Sequence, residues 1–313
     1  MRINQIRFLL LYGLIFLLSS RLYAQTCCTG TAPITGLMRV SSIDTKQWSV
    51  AIIADHNYIG DLFIEDEEIQ EDLIIRATNT ILLQTNYGIT NNLSVSVVLP
   101  YVGKWEKTSN SLRSGSSAIG DISFLVQYSI LTNKSFSIIL GSGMKFPTGG
   151  TQLKNKETGI IIQPSLQPGS GSNDFLFLTQ VQYTFPFRKS LAIAQSFSYQ
   201  LTGTSAVFAG HSSFKFGNEL QSFTSIADQF VWLDKVFTPS VSLRVSHRTT
   251  NVIETIEDIN SGGTWGYISP GTIVQLNPVF GLLIQADIPI YRKINGFQLV
   301  PSYVIRGGVL ISI

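Results

Sequence analysis

Over residues 119–149 the chain alternates apolar and polar positions with a period of two. Ile122, Phe124, Val126, Tyr128 and Ile130 take every second position, with Ser123, Gln127 and Ser129 among the residues between them. After Thr132-Asn133-Lys134 the pattern resumes through Phe136, Ile138, Leu140, Met144 and Phe146, and it stops at Pro147-Thr148-Gly149. Successive strand side chains point to opposite faces, so this pattern predicts a β-hairpin with one face toward an apolar medium and the other toward a polar one. Each arm reaches the roughly 9 to 11 residues that a tilted strand needs to cross a bilayer. Soluble strands average only about 5 to 6.

The same alternation returns over 46–57, 72–88, 92–103, 174–185, 189–202, 211–224, 235–248, 265–277, 279–290 and 297–313. Trp48, Val50, Ile52 and Ala54 share a face of the first segment. In 189–202, Leu191, Ile193, Phe197, Tyr199 and Leu201 stand against Ala192, Ala194, Ser196, Ser198 and Gln200. The last segment places Leu299, Tyr303, Ile305, Val309, Ile311 and Ile313 together. With the hairpin this makes about twelve strands, and the connections alternate between long and tight, as in outer-membrane barrels with short periplasmic turns and longer outer loops. The predicted fold class is all-β: a transmembrane antiparallel up-and-down β-barrel over residues 45–313. Tyr87, Tyr101, Trp105, Tyr128, Tyr183, Trp265 and Tyr291, near strand ends, are expected in two interfacial girdles.

Composition sharpens this picture. Hydrophobic residues make up 44% of the chain and charged residues 13%, against about 25% charged in soluble domains, yet beyond the N-terminus no apolar run reaches helical spanning length. Spanning strands in a closed sheet reconcile the two observations, because every backbone polar group is then paired. A net charge of +2 gives no footprint for nucleic acid.

Residues 1–25 have the order of an export signal, with Arg2 and Arg7 before an apolar core from Phe8 to Leu18 and the small residue Ala24 at its end. Residues 26–44, rich in Thr, Gly, Ser and Pro, are expected to form a periplasmic or plug segment. Its adjacent Cys27 and Cys28 are the only cysteines, and they are expected to be an exposed pair without catalytic work. The expected location is the outer membrane, with its lipids and the barrel-assembly machinery as partners.

Charged residues supply the candidate chemistry. By parity Arg76, Asp121, Lys145, Lys215, Glu219, Arg244, Asp287 and Arg306 are expected to point into the lumen, since charge on the lipid face is costly. Mixed signs there either define a selective pathway or pair to fill a narrow barrel. If Phe214 and Phe216 face lipid, His211, Ser213, Lys215 and Glu219 face inward. Glu65, Asp66, Glu67, Glu68, Glu71 and Asp72 lack the ligand spacing of a calcium loop. No metal, cofactor or catalytic set is expected. His211 and Ser213 resemble the His-x-Ser of outer-membrane phospholipase A, but there the pair faces lipid, and here no third group orients it.

Several phrases resemble the outer-membrane family of the MetA pathway of phenol degradation, a loose relative of FadL-type transporters of hydrophobic compounds. They are Asn86-Tyr87-Gly88-Ile89-Thr90-Asn91-Asn92-Leu93, Leu99-Pro100-Tyr101, Gly120-Asp121, Lys145-Phe146-Pro147-Thr148-Gly149, Pro270-Gly271, Ile288-Pro289-Ile290 and Asn295-Gly296-Phe297-Gln298-Leu299. The resemblance implies an outer-membrane barrel that moves apolar or aromatic compounds. The expected function is therefore passive transport or uptake of small molecules. The alternative is a non-transporting barrel whose loops 58–71 and 150–173 bind a partner at the surface.

Overall fold

A computed structural model of the chain describes residues 45–69, 74–108, 113–133, 135–155 and 157–313. The expected signal (1–25) and plug segment (26–44), with Cys27 and Cys28, lie outside the described residues, as do Glu71 and Asp72. Twelve antiparallel strands form the wall. They are β1 (Trp48–Ile64), β2 (Ile74–Gly88), β3 (Leu93–Thr108), β4 (Ile122–Thr132), β5 (Phe136–Phe146) and β6 (Asp174–Thr184). The second half comprises β7 (Ala192–Leu201), β8 (Glu219–Ala227), β9 (Lys235–Arg248), β10 (Gly263–Gln275), β11 (Phe280–Ile294) and β12 (Phe297–Ser312). Each pairs with its sequence neighbours, and β1 pairs with β12 from Ser49↔Ser312 to Ile64↔Phe297, so the sheet closes and has no free edge within the wall. Closure is what lets strands span lipid, because no backbone donor or acceptor is left facing hydrocarbon.

The side chains are sorted in the sense opposite to a soluble protein. Ile81, Val97, Phe124, Phe177, Phe197, Leu243, Ile284 and Ile305 are exposed on the outside. Thr80, Gln84, Ser96, Gln127, Gln180, Ser196, Ser242 and Gln285 are buried within. The rings of Trp48 and Tyr87 pack 4.6 Å apart, tilted by 38°, at the end that carries the short turns. By the rule of short periplasmic turns, that end faces the periplasm.

Four segments depart from the sequence reading. β1 continues seven residues past its expected end at Asn57, to Ile64, because register shifts between Tyr58 and Asp61 break the alternation while pairing with β12 continues. β3 runs on to Thr108, and Ser114–Ile119 folds back onto it, so most of the expected loop 104–117 is strand standing outside the bilayer, where no apolar face is required. The strand expected over 211–224 is β8, which begins only at Glu219. Phe214 and Phe216 do not face lipid: they are buried against Phe208 in the outer loops, and their alternation is satisfied there. Lys215 accordingly lies in a small separate sheet formed by Thr204–Ser205, Phe214–Lys215, Asn251–Ile253 and Ile256–Asp258. Finally, Trp265 is 2% exposed and packs inward with Phe63, Tyr267, Ile294 and Val300 rather than in a girdle. It shares parity with Tyr267 and Ser269, which face the interior.

The interior is unequal on its two sides. Near the periplasmic end of β1 to β3, Ala51, Ile53, Leu82 and Val98 pack together and fill it. Across from them, β6 to β11 turn hydroxyl and amide side chains inward and leave space.

Candidate functional site

That space is a cavity of about 310 Å³ whose lining includes Gln180, Ser196, Ser225, Ser240, Ser242 and Gln285. All of these come from the inward parity of strands β6 to β11. One pleat further toward the exterior, the next inward positions carry charge. Arg306 Nε lies 2.8 Å from Asp55 Oδ2 and its Nη1 2.8 Å from Asp287 Oδ1. Arg244 Nη2 lies 2.6 Å from Asp287 Oδ2, and its guanidinium sits 4.2 Å from the centre of the Tyr267 ring. Ser269 Oγ donates to Asp287 Oδ1 at 2.8 Å. Two arginines and two carboxylates thus form a neutral belt across β1, β9, β11 and β12. Asp287 is wholly buried and Arg306 3% exposed. Such pairing is required, because a lone buried charge costs several kcal/mol, on the order of 3–5 when one partner is removed.

A second ionic group stands near the outer rim. Lys145 on β5 reaches Asp174 at 2.6 Å and Asp121 at 3.4 Å. Asp121 also accepts from Ser170 N at 2.8 Å, Ser170 Oγ at 2.6 Å and Gly149 N at 3.0 Å. Asp174 accepts from Ser172 Oγ at 2.7 Å, Gln200 Nε2 at 2.7 Å and Gly203 N at 3.0 Å. These bonds pin the connection 147–173 back over the inner side of the wall. Lys104 on β3 holds the same connection by donating to Gln167 O at 2.8 Å and Ser165 O at 3.3 Å. Leu166 and Gln167 are each 1% exposed. Gly149 and Gly169 meet so closely that a Cβ on Gly169 would lie 2.5 Å from the Gly149 backbone. Only glycine fits there.

Further pairs lie inside, among them Arg292 with Asp61 at 2.5 Å. Glu219 is bound to Arg248, Ser246 and Gln221. Arg76 is bound to Glu106, which also accepts from Gln163 Nε2 at 2.9 Å. Of the residues singled out by parity, Asp121 and Lys145 therefore meet in the loop latch, and Arg244, Asp287 and Arg306 meet in the belt. Arg76 and Glu219 lie in separate pairs, and Lys215 lies outside the wall. Parity did not single out Asp55, Lys104, Glu106, Asp174 or Arg248. Asp55 follows Ala51 and Ile53 on a face whose periplasmic half is apolar, so nothing marked it as inward. Lys104 and Glu106 fall where β3 leaves the bilayer and the apolar side of its alternation fades. His211 and Ser213 sit in an outer loop, where the His211 ring lies 6.2 Å from Phe214, so they face neither the lumen nor lipid as wall residues.

Sequence comparison finds no matching family model and no matching curated protein. The fold, in contrast, is shared. The crystal structure of an outer-membrane channel from Pseudomonas putida F1 matches with a TM-score of 0.72, 10% identity, and coverage of 88% of this chain and 100% of that one. The β domain of the Bordetella autotransporter BrkA matches with a TM-score of 0.50, 6% identity, and coverage of 84% and 100%. A Pseudomonas aeruginosa FadL homologue gives only 0.41, at 7% identity with coverage of 85% and 90%, which is too low to carry an argument. At these identities the likeness is one of fold alone. The chain has the fold of an outer-membrane β-barrel.

Proposed function

We propose that the barrel is a passive outer-membrane channel for small water-soluble compounds, including aromatic ones that carry hydrogen-bonding groups. The observation that carries this reading is the 310 Å³ cavity beneath the neutral belt, where hydroxyl and amide side chains alternate with apolar ones such as Phe223, Ile273 and Leu283. A barrel serving only as a surface anchor gains nothing from space lined with polar groups, whereas a solute path needs both the space and exchangeable hydrogen bonds. The belt supports the same reading, because Arg244 Nε has no hydrogen-bond partner among the described residues. Buried polar atoms of this kind are usually satisfied by water, as a wet passage provides. The belt's balanced charge favours neutral or zwitterionic solutes over ions of either sign. The resemblance of the turn phrases to the MetA-pathway family supports aromatic solutes among these. Proteoliposome swelling tests the proposal: arabinose and serine are expected to enter faster than into empty liposomes, and the trisaccharide raffinose to be excluded. Equal rates with and without protein for all three solutes would refute it.

A further inference from the structure

The apolar outer surface is interrupted on β7 and β8. These strands pair without a shift, Phe197 with Ser222 and Gln195 with Thr224. On the same parity Ile193, Phe197, Leu220 and Ile226 are exposed to lipid. Gln195, Ser222 and Thr224 share that outward face, whereas Phe223, between the two hydroxyl residues, lines the lumen cavity. On this stretch of β8 the sorting of side chains is reversed.

The three polar residues form an island. Phe197 and Leu220 bound it toward the exterior, and Ile193 and Ile226 toward the periplasm. Sideways, Gln195 pairs with Val181 of β6, while Ser222 and Thr224 pair with Val245 and Leu243 of β9. With apolar neighbours along both strands and across both outer pairings, the island lies within the hydrocarbon band and not at its edge. Gln195 Nε2 donates to Ser222 Oγ at 3.0 Å, and Thr224 Oγ1 donates to Gln195 Oε1. These bonds fix the amide across the two strands. Ser222 Oγ accepts in this arrangement, so its own proton is left to give, and the oxygens keep further lone pairs. Hydrocarbon offers such groups no partner.

We propose that this face docks a second copy of the chain within the membrane. The set is self-complementary, because the carboxamide and the hydroxyls each both donate and accept. A two-fold axis along the membrane normal, between β7 and β8, sets Gln195 of each copy opposite the Ser222 and Thr224 side of the other. That is the isologous arrangement, in which every contact is made twice. Ile193, Phe197, Leu220 and Ile226 then pack around a hydrogen-bonded centre, as polar side chains join spanning helices in lipid. Such bonds are individually weak there, so the dimer is reversible. The island stands on the outside of the wall, and the inference does not rest on the channel reading.

The test is association of the purified barrel in lipid vesicles, read as energy transfer between copies labelled with donor or acceptor at the N-terminal amine while the protein-to-lipid ratio is varied. Transfer in the wild type is expected to rise and saturate as a dimer does. Gln195→Leu, Ser222→Ala and Thr224→Val combined leave an apolar face that suits lipid, so the barrel still folds. This variant is expected to raise the dissociation constant of the dimer at least about tenfold, the sum of several weak bonds made twice. A cysteine arm places the interface, in a background with Cys27 and Cys28 replaced by serine. Ile226→Cys, beside the island, is expected to give an oxidised dimer, and Ile81→Cys, 55% exposed on the opposite wall, is not. Wild-type transfer no greater than chance proximity at every ratio overturns the proposal without any variant having to fold. Equal dissociation constants for wild type and triple variant, or equal cross-linking at the two cysteine positions, overturn it as well. Conductance of the same preparations reads the channel separately, so either reading can fail without the other.

Discussion

Asp287 is the residue on which the interior charges converge, since Arg244 and Arg306 both bond to it. Asp287→Ala leaves two buried guanidinium groups sharing Asp55. The expected cost is about 3–5 kcal/mol, read as a lower urea midpoint for the folded barrel in detergent. In bilayers the same variant is expected to shift the reversal potential toward anion selectivity, because the neutral belt gains a positive charge. A second residue-scale expectation lies outside the bilayer, at the periplasmic turns. Asp228 accepts hydrogen bonds from Arg188 and from Ser190, and these hold its carboxyl below the ordinary value of 3.8. A depressed carboxylate stabilises the fold above its unfolded pKa, and the contribution is lost as pH falls through the folded value. The tie between the β6–β7 and β8–β9 turns is therefore expected to hold at pH 5 and to release only below 3.8. A carbon-detected NMR titration of the Asp228 carboxyl checks this, and a midpoint above 3.8 would contradict it. Legibility at this scale followed the bilayer. Strong alternation of their strand neighbours marks Arg244, Asp287 and Arg306 as inward. Nothing marks Asp55, because Ala51 and Ile53 on the same face are apolar.

At the scale of elements, all the spanning strands were legible, because lipid on one side enforces a strict period of two. What failed was the region beyond the bilayer. There β1 and β3 continue without an apolar face, and Phe214 and Phe216 imitate a lipid-facing strand while packing against Phe208. The sequence marks 150–173 only as a long loop that could bind a partner. Its anchoring depends on Asp121, Lys145 and Asp174, which lie far apart in sequence and meet only when the barrel closes. On the channel reading, the latch is expected to set how open the mouth is. Lys145→Met leaves Asp121 and Asp174 buried without their shared cation. The connection 147–173 is then expected to be cut faster by protease in the folded barrel, while the wall remains resistant to heat in detergent-gel assays. An unchanged cleavage rate would mean that Lys104 and the Gly149–Gly169 contact suffice to hold it.

For the whole molecule, the inverted sorting of side chains carries the account: apolar outside, polar and charged inside. Neighbouring β9 positions offer a direct comparison, since Leu243 is 45% exposed on the outer surface and Ser242 4% exposed within. Leu243→Arg is expected to destabilise the barrel by about 2–4 kcal/mol if its depth is near the midplane. Ser242→Asn, on the cavity side, is expected to change stability by less than about 1 kcal/mol. Urea titrations in lipid vesicles would read both. The most direct test of the central claim is single-channel conductance in planar bilayers, comparing the wild-type barrel with Lys145→Met. Small discrete steps are expected for the wild type and larger ones when the latch is released. Silence from both proteins, in preparations shown to be folded, would contradict the claim that this interior is a passage.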